Sequence, residues 1–144
     1  MDGLILQKRV LYVKCTLIFY MAHQTGYCEM ALTHCLEERA IAVESVQTAF
    51  SAQMLGELLN TSLRKTPLVF IVGGLSRKDH DNLANVLSRG LQTMTPLPHV
   101  QKLANGAGGA DGYLLQTEKQ TVVALPDVPR QISHMLDTTL FLQL

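Results

Sequence analysis

A chain of 144 residues has about the length of one domain, enough to enclose a core of ordinary size. Hydrophobic residues make up 47% of it and charged residues 17%, a balance that excludes a disordered or highly charged chain. Lysine plus arginine equals aspartate plus glutamate at 12 each, so nothing points to nucleic acid or an acidic membrane as partner. So low a charge also suits a chain that buries surface in a homo-oligomer.

In chain order, the first apolar stretch is Val10–Met21, interrupted by Lys14 and too short to cross a bilayer as a helix. Its β-branched and aromatic residues over Val10–Tyr20 predict a buried strand. Gly26 opens a helical stretch in which Cys28, Ala31, Leu32, Cys35 and Leu36 form one apolar stripe. The cysteines Cys15, Cys28 and Cys35 are odd in number and lack C-x-x-C spacing. That argues against a disulfide framework or a zinc knuckle and fits the reducing cytoplasm. Ala42–Thr48 predicts a second strand. Ser51 is the expected N-cap of a helix that aligns Leu55, Leu58, Leu59 and Leu63, and Pro67 stops it.

Leu68–Val72 follows with no polar interruption, as a parallel strand covered on both faces requires. Gly73-Gly74 ends it, and a third helix carries Leu83, Val86, Leu87 and Leu91. Gln92–Ala104, with Pro96 and Pro98, reads as a loop with one helical turn at most. After the glycine-rich Asn105–Gly112 come Tyr113–Gln116 and Thr121–Leu125, which predict a β-hairpin. Pro129 then starts a helix with Ile132, Met135, Leu136 and Leu140 on one face. The alternation predicts one α/β domain over residues 1–144, with a mainly parallel sheet, a hairpin and helices on both faces.

The turn Gly73-Gly74-Leu75-Ser76 sits at the carboxyl end of the central strand, where open α/β sheets bind ligands. Glycines admit close approach to the backbone, and a following helix offers unpaired N–H groups to an anion. Arg77 and Lys78 add positive charge, while Asp79 and Asp81 are placed to cap the helix or hold a metal-bound phosphate. The same residues also make an ordinary strand-to-helix turn. Asn105–Gly112 lacks the Lys-Ser/Thr of a P-loop, and Asp111 stands where a dinucleotide fingerprint needs its third glycine. The five histidines show no zinc spacing, and no G-x-S-x-G elbow is present.

The segment VFIVGGLSRKDHDNLANVL, Val69–Leu87, resembles the strand–Gly-Gly–helix motif of molybdopterin-binding domains, including the N-terminal domain of competence/damage-inducible proteins. A second block, from Asn105-Gly106 through the hairpin to Leu125-Pro126-Asp127-Val128-Pro129 and Met135, is similar to the same family's later motifs. The likeness spans about Gly26 to Met135. It implies a three-layer α/β/α fold, often trimeric, that binds molybdopterin or a nucleotide through its phosphate, with magnesium as a possible companion. Family members adenylylate molybdopterin or assist metal insertion, and some relatives act on nucleotide pyrophosphates. Carried over, Gly73, Gly74, Leu75 and Ser76 would lie against the ligand, and Asp81 falls on the family's acidic, catalytic position. Asn105, Gly106, Pro126 and Pro129 would frame the far side. Several departures imply weak or lost catalysis: Ser76 replaces a glycine, Leu83 a threonine and Asp127 the glycine of L-P-G-x-P. The first-strand acidic motif has no counterpart, and a helix usual between Leu91 and Asn105 is missing. An oligomeric or partner-binding module without catalysis is the competing expectation.

Overall fold

The computed structural model of the chain describes residues 13–91 and 97–138. The expected strand start at Val10–Tyr12, the segment 92–96 and the apolar tail beyond Thr138 lie outside them. The elements are β1 (Val13–Tyr20), α1 (Thr25–Glu37), β2 (Ile41–Ala49), α2 (Ala52–Lys65), β3 (Leu68–Val72) and α3 (Leu83–Leu91). They continue with β4 (His99–Leu103), β5 (Gly112–Gln116), β6 (Thr121–Leu125) and α4 (Pro129–Thr138). One six-stranded sheet runs in the order β2-β1-β3-β6-β5-β4. The first four strands in that order are mutually parallel, and β5 is antiparallel to both β6 and β4.

Alternation along the central strands sorts side chains into two cores, as a pleat of period two demands. Cys15, Leu17 and Phe19 of β1, Leu68, Phe70 and Val72 of β3, and Val123 and Leu125 of β6 face α1 and α4. Ile18 and Tyr20, Val69 and Ile71, and Val122 and Ala124 face α2 and α3. The uninterrupted run in β3 is therefore apolar because both faces are covered; all five of its residues are buried. The predicted stripe on α1 is the buried one: Cys28, Leu32, Cys35 and Leu36 are enclosed. Ser51 caps α2, its Oγ accepting the Met54 N–H at 3.1 Å.

Two expectations change. Residues 99–103, read as loop, form the edge strand β4 paired with β5. Only Leu103 of that strand is buried, so its hydrogen-bond ladder defines it and no hydrophobic pattern announces it. The cap of α3 is Asn82, whose Oδ1 accepts the Ala84 N–H at 2.8 Å, in place of Asp79 or Asp81. Those aspartates precede the helix in a separate tight loop.

Candidate ligand site at the carboxyl end of the sheet

Because β4 runs with the parallel strands, every loop singled out in the sequence emerges at one end of the sheet. There the segments after β1 (Met21–Gln24), β3 (Gly73–Asn82), β4 (Ala104–Asp111) and β6 (Pro126–Val128) form a rim. Gly73 continues the ladder, its N–H donating to Leu125 O at 3.1 Å.

Gly73 and Gly74 both take positive φ, 110° and 74°, a region open to glycine at little cost. Their neighbours supply a second reason for glycine. A Cβ on Gly73 would overlap the Tyr20 carbonyl and Ala22, and one on Gly74 would stand 2.5 Å from the Tyr20 ring. Tyr20 is fully buried, and its hydroxyl donates to Asp81 O at 2.8 Å. The ring thus fills the space where a side chain at Gly74 would project. Burial, reinforced by the nearby Asp81 carboxylate, pushes the Tyr20 phenol up, so it stays a donor.

In the turn itself, Gly74 and Leu75 are buried and Ser76 is exposed. Among the described residues nothing accepts a hydrogen bond from the amides of these three. The first two amides of α3 are already in use: Leu83 N–H donates to Gly74 O at 2.9 Å, and Ala84 N–H donates to Asn82 Oδ1. Arg77 is held by Asp79 through bonds of 3.1 and 2.6 Å. This pairing keeps the Asp79 carboxyl below the usual carboxylate range. Asp79 Oδ1 also accepts the Asp81 N–H. The Asp81 carboxylate is left with His80 Nε2 at 3.5 Å.

Magnesium binds through one or two carboxylates and completes its shell with water and phosphate. Among the described residues no cluster of three or more His, Cys, Asp or Glu could hold a metal. With Asp79 committed to Arg77, Asp81 alone fits such an ion, and only if a ligand brings phosphate oxygens.

Asn105 organises the opposite loop. Its Nδ2 donates to Ala110 O and Gln131 Oε1, its Oδ1 accepts the Ala107 N–H, and its own N–H donates to Asp111 Oδ1. That last bond holds the Asp111 carboxyl below its ordinary range. Gly106 lies against His134, where a Cβ would stand 2.8 Å from Nε2. Pro126 is buried next to the β6 ladder, and Pro129 opens α4. Asn105 and Gly106 therefore sit together on the α4 side of the rim, and Gly73–Ser76 with Asp81 on the α3 side.

Two structural roles at the rim were not legible in the sequence. One is that of Tyr20. The other is that of Asp127, noted there only as a departure that implies weak catalysis, whose Oδ2 accepts the His23 backbone N–H at 2.7 Å and lies 3.1 Å from His23 Nδ1. Asp127 thereby straps the β1–α1 segment, in which Met21 and Gln24 hold positive φ of 47° and 52°. Nothing local signals a contact between residues so far apart in the chain. Cys28 lies beneath this strap, its thiol pushed up to about 11 by burial and by Asp127, which removes it as a nucleophile.

A six-stranded, mainly parallel sheet with an antiparallel edge and helices on both faces is the architecture of molybdenum-cofactor biosynthesis proteins. Among solved structures, the chain is similar to the CinA protein of Thermoplasma acidophilum, at 17% identity over 88% of this chain and 95% of that one, with a TM-score of 0.66. It is likewise similar to the molybdopterin biosynthesis enzyme MoaB of Thermus thermophilus, at 12% identity over 91% of each chain (TM-score 0.67). The tungsten cofactor synthesizing MoaB of Pyrococcus furiosus matches at 8% identity over 88% of this chain and 89% of that one (TM-score 0.56). No family model matches the sequence, and no curated protein does. Among the described residues no helix is long and apolar enough to cross a membrane.

Proposed function

We propose that the chain binds a small phosphate-bearing ligand, a molybdopterin or a nucleotide, at this rim, with catalysis weak or lost. The observation that carries the reading is the run of amides at Gly74, Leu75 and Ser76, two of them on buried residues and none paired among the described residues. Buried N–H groups are nearly always paired, and successive free amides at a turn make an anion-binding concavity. A ligand phosphate at Ser76 would complete them. Asp81 would hold magnesium against that phosphate, and the Asn105–Asp111 loop would face the ligand from across the sheet. The fold shared with MoaB and CinA structures supports the ligand class. The Asp127 carboxylate near the rim supports reduced catalysis, since it adds negative charge there.

Under this reading the chain works as one cytoplasmic domain in a homo-oligomer. The three free, buried cysteines suit that compartment. Calorimetric titration with molybdopterin, AMP and ADP-ribose, with and without magnesium, should show binding that Asp81→Asn weakens. Absence of binding by all three at about 1 mM would overturn the reading.

A second reading, a non-catalytic oligomeric module, is favoured by the edge strand β2. Val46 within it and Phe50 just after it are exposed, Phe50 at 75%. A stable oligomer that binds none of the three ligands would select it.

A further inference from the structure

Away from the rim, on the sheet face that carries α2 and α3, the two helices stand apart over a cavity of about 290 Å³. It reaches the turn between β5 and β6, at the end of β6 opposite the carboxyl rim. Leu59 and Val86 form its walls and Leu115 and Val122 its floor, so the space is mainly apolar. At one end Thr117 and Gln120 bring polar groups. The Gln120 side-chain N–H donates to Leu63 O at 3.2 Å, while its Oε1 accepts no hydrogen bond among the described residues.

A glycine in each helix borders the cavity, Gly56 in α2 and Gly90 in α3. Glycine is the poorest helix former after proline, so such positions call for a reason. Neither glycine has a positive φ, and among the described residues a Cβ on either would meet nothing within 4 Å. Backbone conformation demands neither glycine, and contacts among the described residues do not demand Gly56. What Gly56 provides is room for something else to lie against the backbone of α2.

The geometry points to a second ligand site, between α2 and α3, for a compact apolar molecule carrying one N–H or O–H donor, the class of indole and simple phenols. The volume sits at the lower end of small-molecule pockets, roughly 300 Å³ and upward. It exceeds the roughly 150 Å³ apolar cavity known to take up benzene. Gln120 Oε1 is the acceptor for the donor group.

The test is a titration of the full chain with indole, followed by amide chemical shifts. Saturable shifts confined to α2, α3 and the 117–120 turn are expected, with Kd below about 1 mM. Gly56→Leu and, separately, Gly90→Leu should each weaken indole binding by about tenfold or more by filling the space. Gly56→Ala should raise the melting temperature, as a helical glycine without a packing role predicts. AMP binding at the rim should be unaffected in all three variants, which keeps this test apart from that of the phosphate site. The proposal fails if indole at about 10 mM shifts nothing there, or if neither leucine variant weakens binding. It also fails if the amide shifts of these residues change with protein concentration without indole, which would mean that a second copy of the chain covers them.

Discussion

The Tyr20 hydroxyl donates to the carbonyl oxygen of Asp81 at 2.8 Å, joining the end of β1 to the loop before α3 while the ring covers Gly74. Tyr20→Phe keeps the ring and removes this bond. It should cost about 1 kcal/mol in urea denaturation and speed amide exchange at Asp81 and Asn82. Unchanged exchange there would mean the loop is held by Asp79 alone.

Gly74→Ala combines a positive φ with a Cβ placed 2.5 Å from the Tyr20 ring. A loss of about 2 kcal/mol or more is expected, because strain and overpacking act together. In a Tyr20→Leu background the additional loss should be smaller, since the ring edge is gone. Equal losses in both backgrounds would show that φ alone sets the cost.

Asp127→Ala should free the β1–α1 segment and cost about 1–2 kcal/mol, mostly through the backbone amide of His23. Its bond to the imidazole contributes less, because that ring is 86% exposed. Asp127→Asn keeps an acceptor for the amide and should retain most of the stability. If asparagine is as damaging as alanine, the negative charge of Asp127 matters more than the hydrogen-bond geometry.

The thiols Cys15 and Cys28 are pushed up to about 12 and about 11 by burial. An unfolded cysteine ionises near about 8.5, so folding opposes ionisation. Their contribution is fully present below that pH and is lost as pH rises toward the folded values. Iodoacetamide at pH 8 should therefore leave both unmodified until the chain unfolds. Rapid labelling of the folded chain would contradict their burial.

Asp111 shows the opposite sign. The Asn105 N–H holds its carboxyl below the ordinary value, so the order it lends the Asn105–Asp111 loop is present above about pH 4. That order fades as pH falls through the lowered value. Amide exchange of Asn105 should accelerate with acid in this window, and Asp111→Asn should remove that acid dependence.

How much of this was legible in the sequence depended on whether burial wrote the pattern. Leu68–Val72 reads as a covered parallel strand because both its faces meet helices. The β5–β6 hairpin and the Ser51 cap were equally plain. The β4 strand was not, since four of its five residues are not buried and only backbone pairing holds it. Gly73-Gly74 marked the turn that ends β3, but half of the reason for glycine at position 74 is the ring of Tyr20, distant in the chain. The sequence offered Asp79 and Asp81 as caps of α3 and passed over Asn82. Asp79 is drawn away by Arg77, which leaves the cap to Asn82. The strap made by Asp127 could not be read, because its partner, the His23 amide, is distant in the chain.

The central claim rests on the amides of Gly74, Leu75 and Ser76, which have no partner among the described residues. Amide chemical shifts recorded while AMP or molybdopterin is titrated into the chain, with magnesium present, test it most directly. The account predicts saturable shifts at Gly74, Leu75 and Ser76, with smaller ones in the Asn105–Asp111 loop, and their loss in Ser76→Asp. Saturable binding that leaves these three amides unmoved, or survives Ser76→Asp intact, would contradict it.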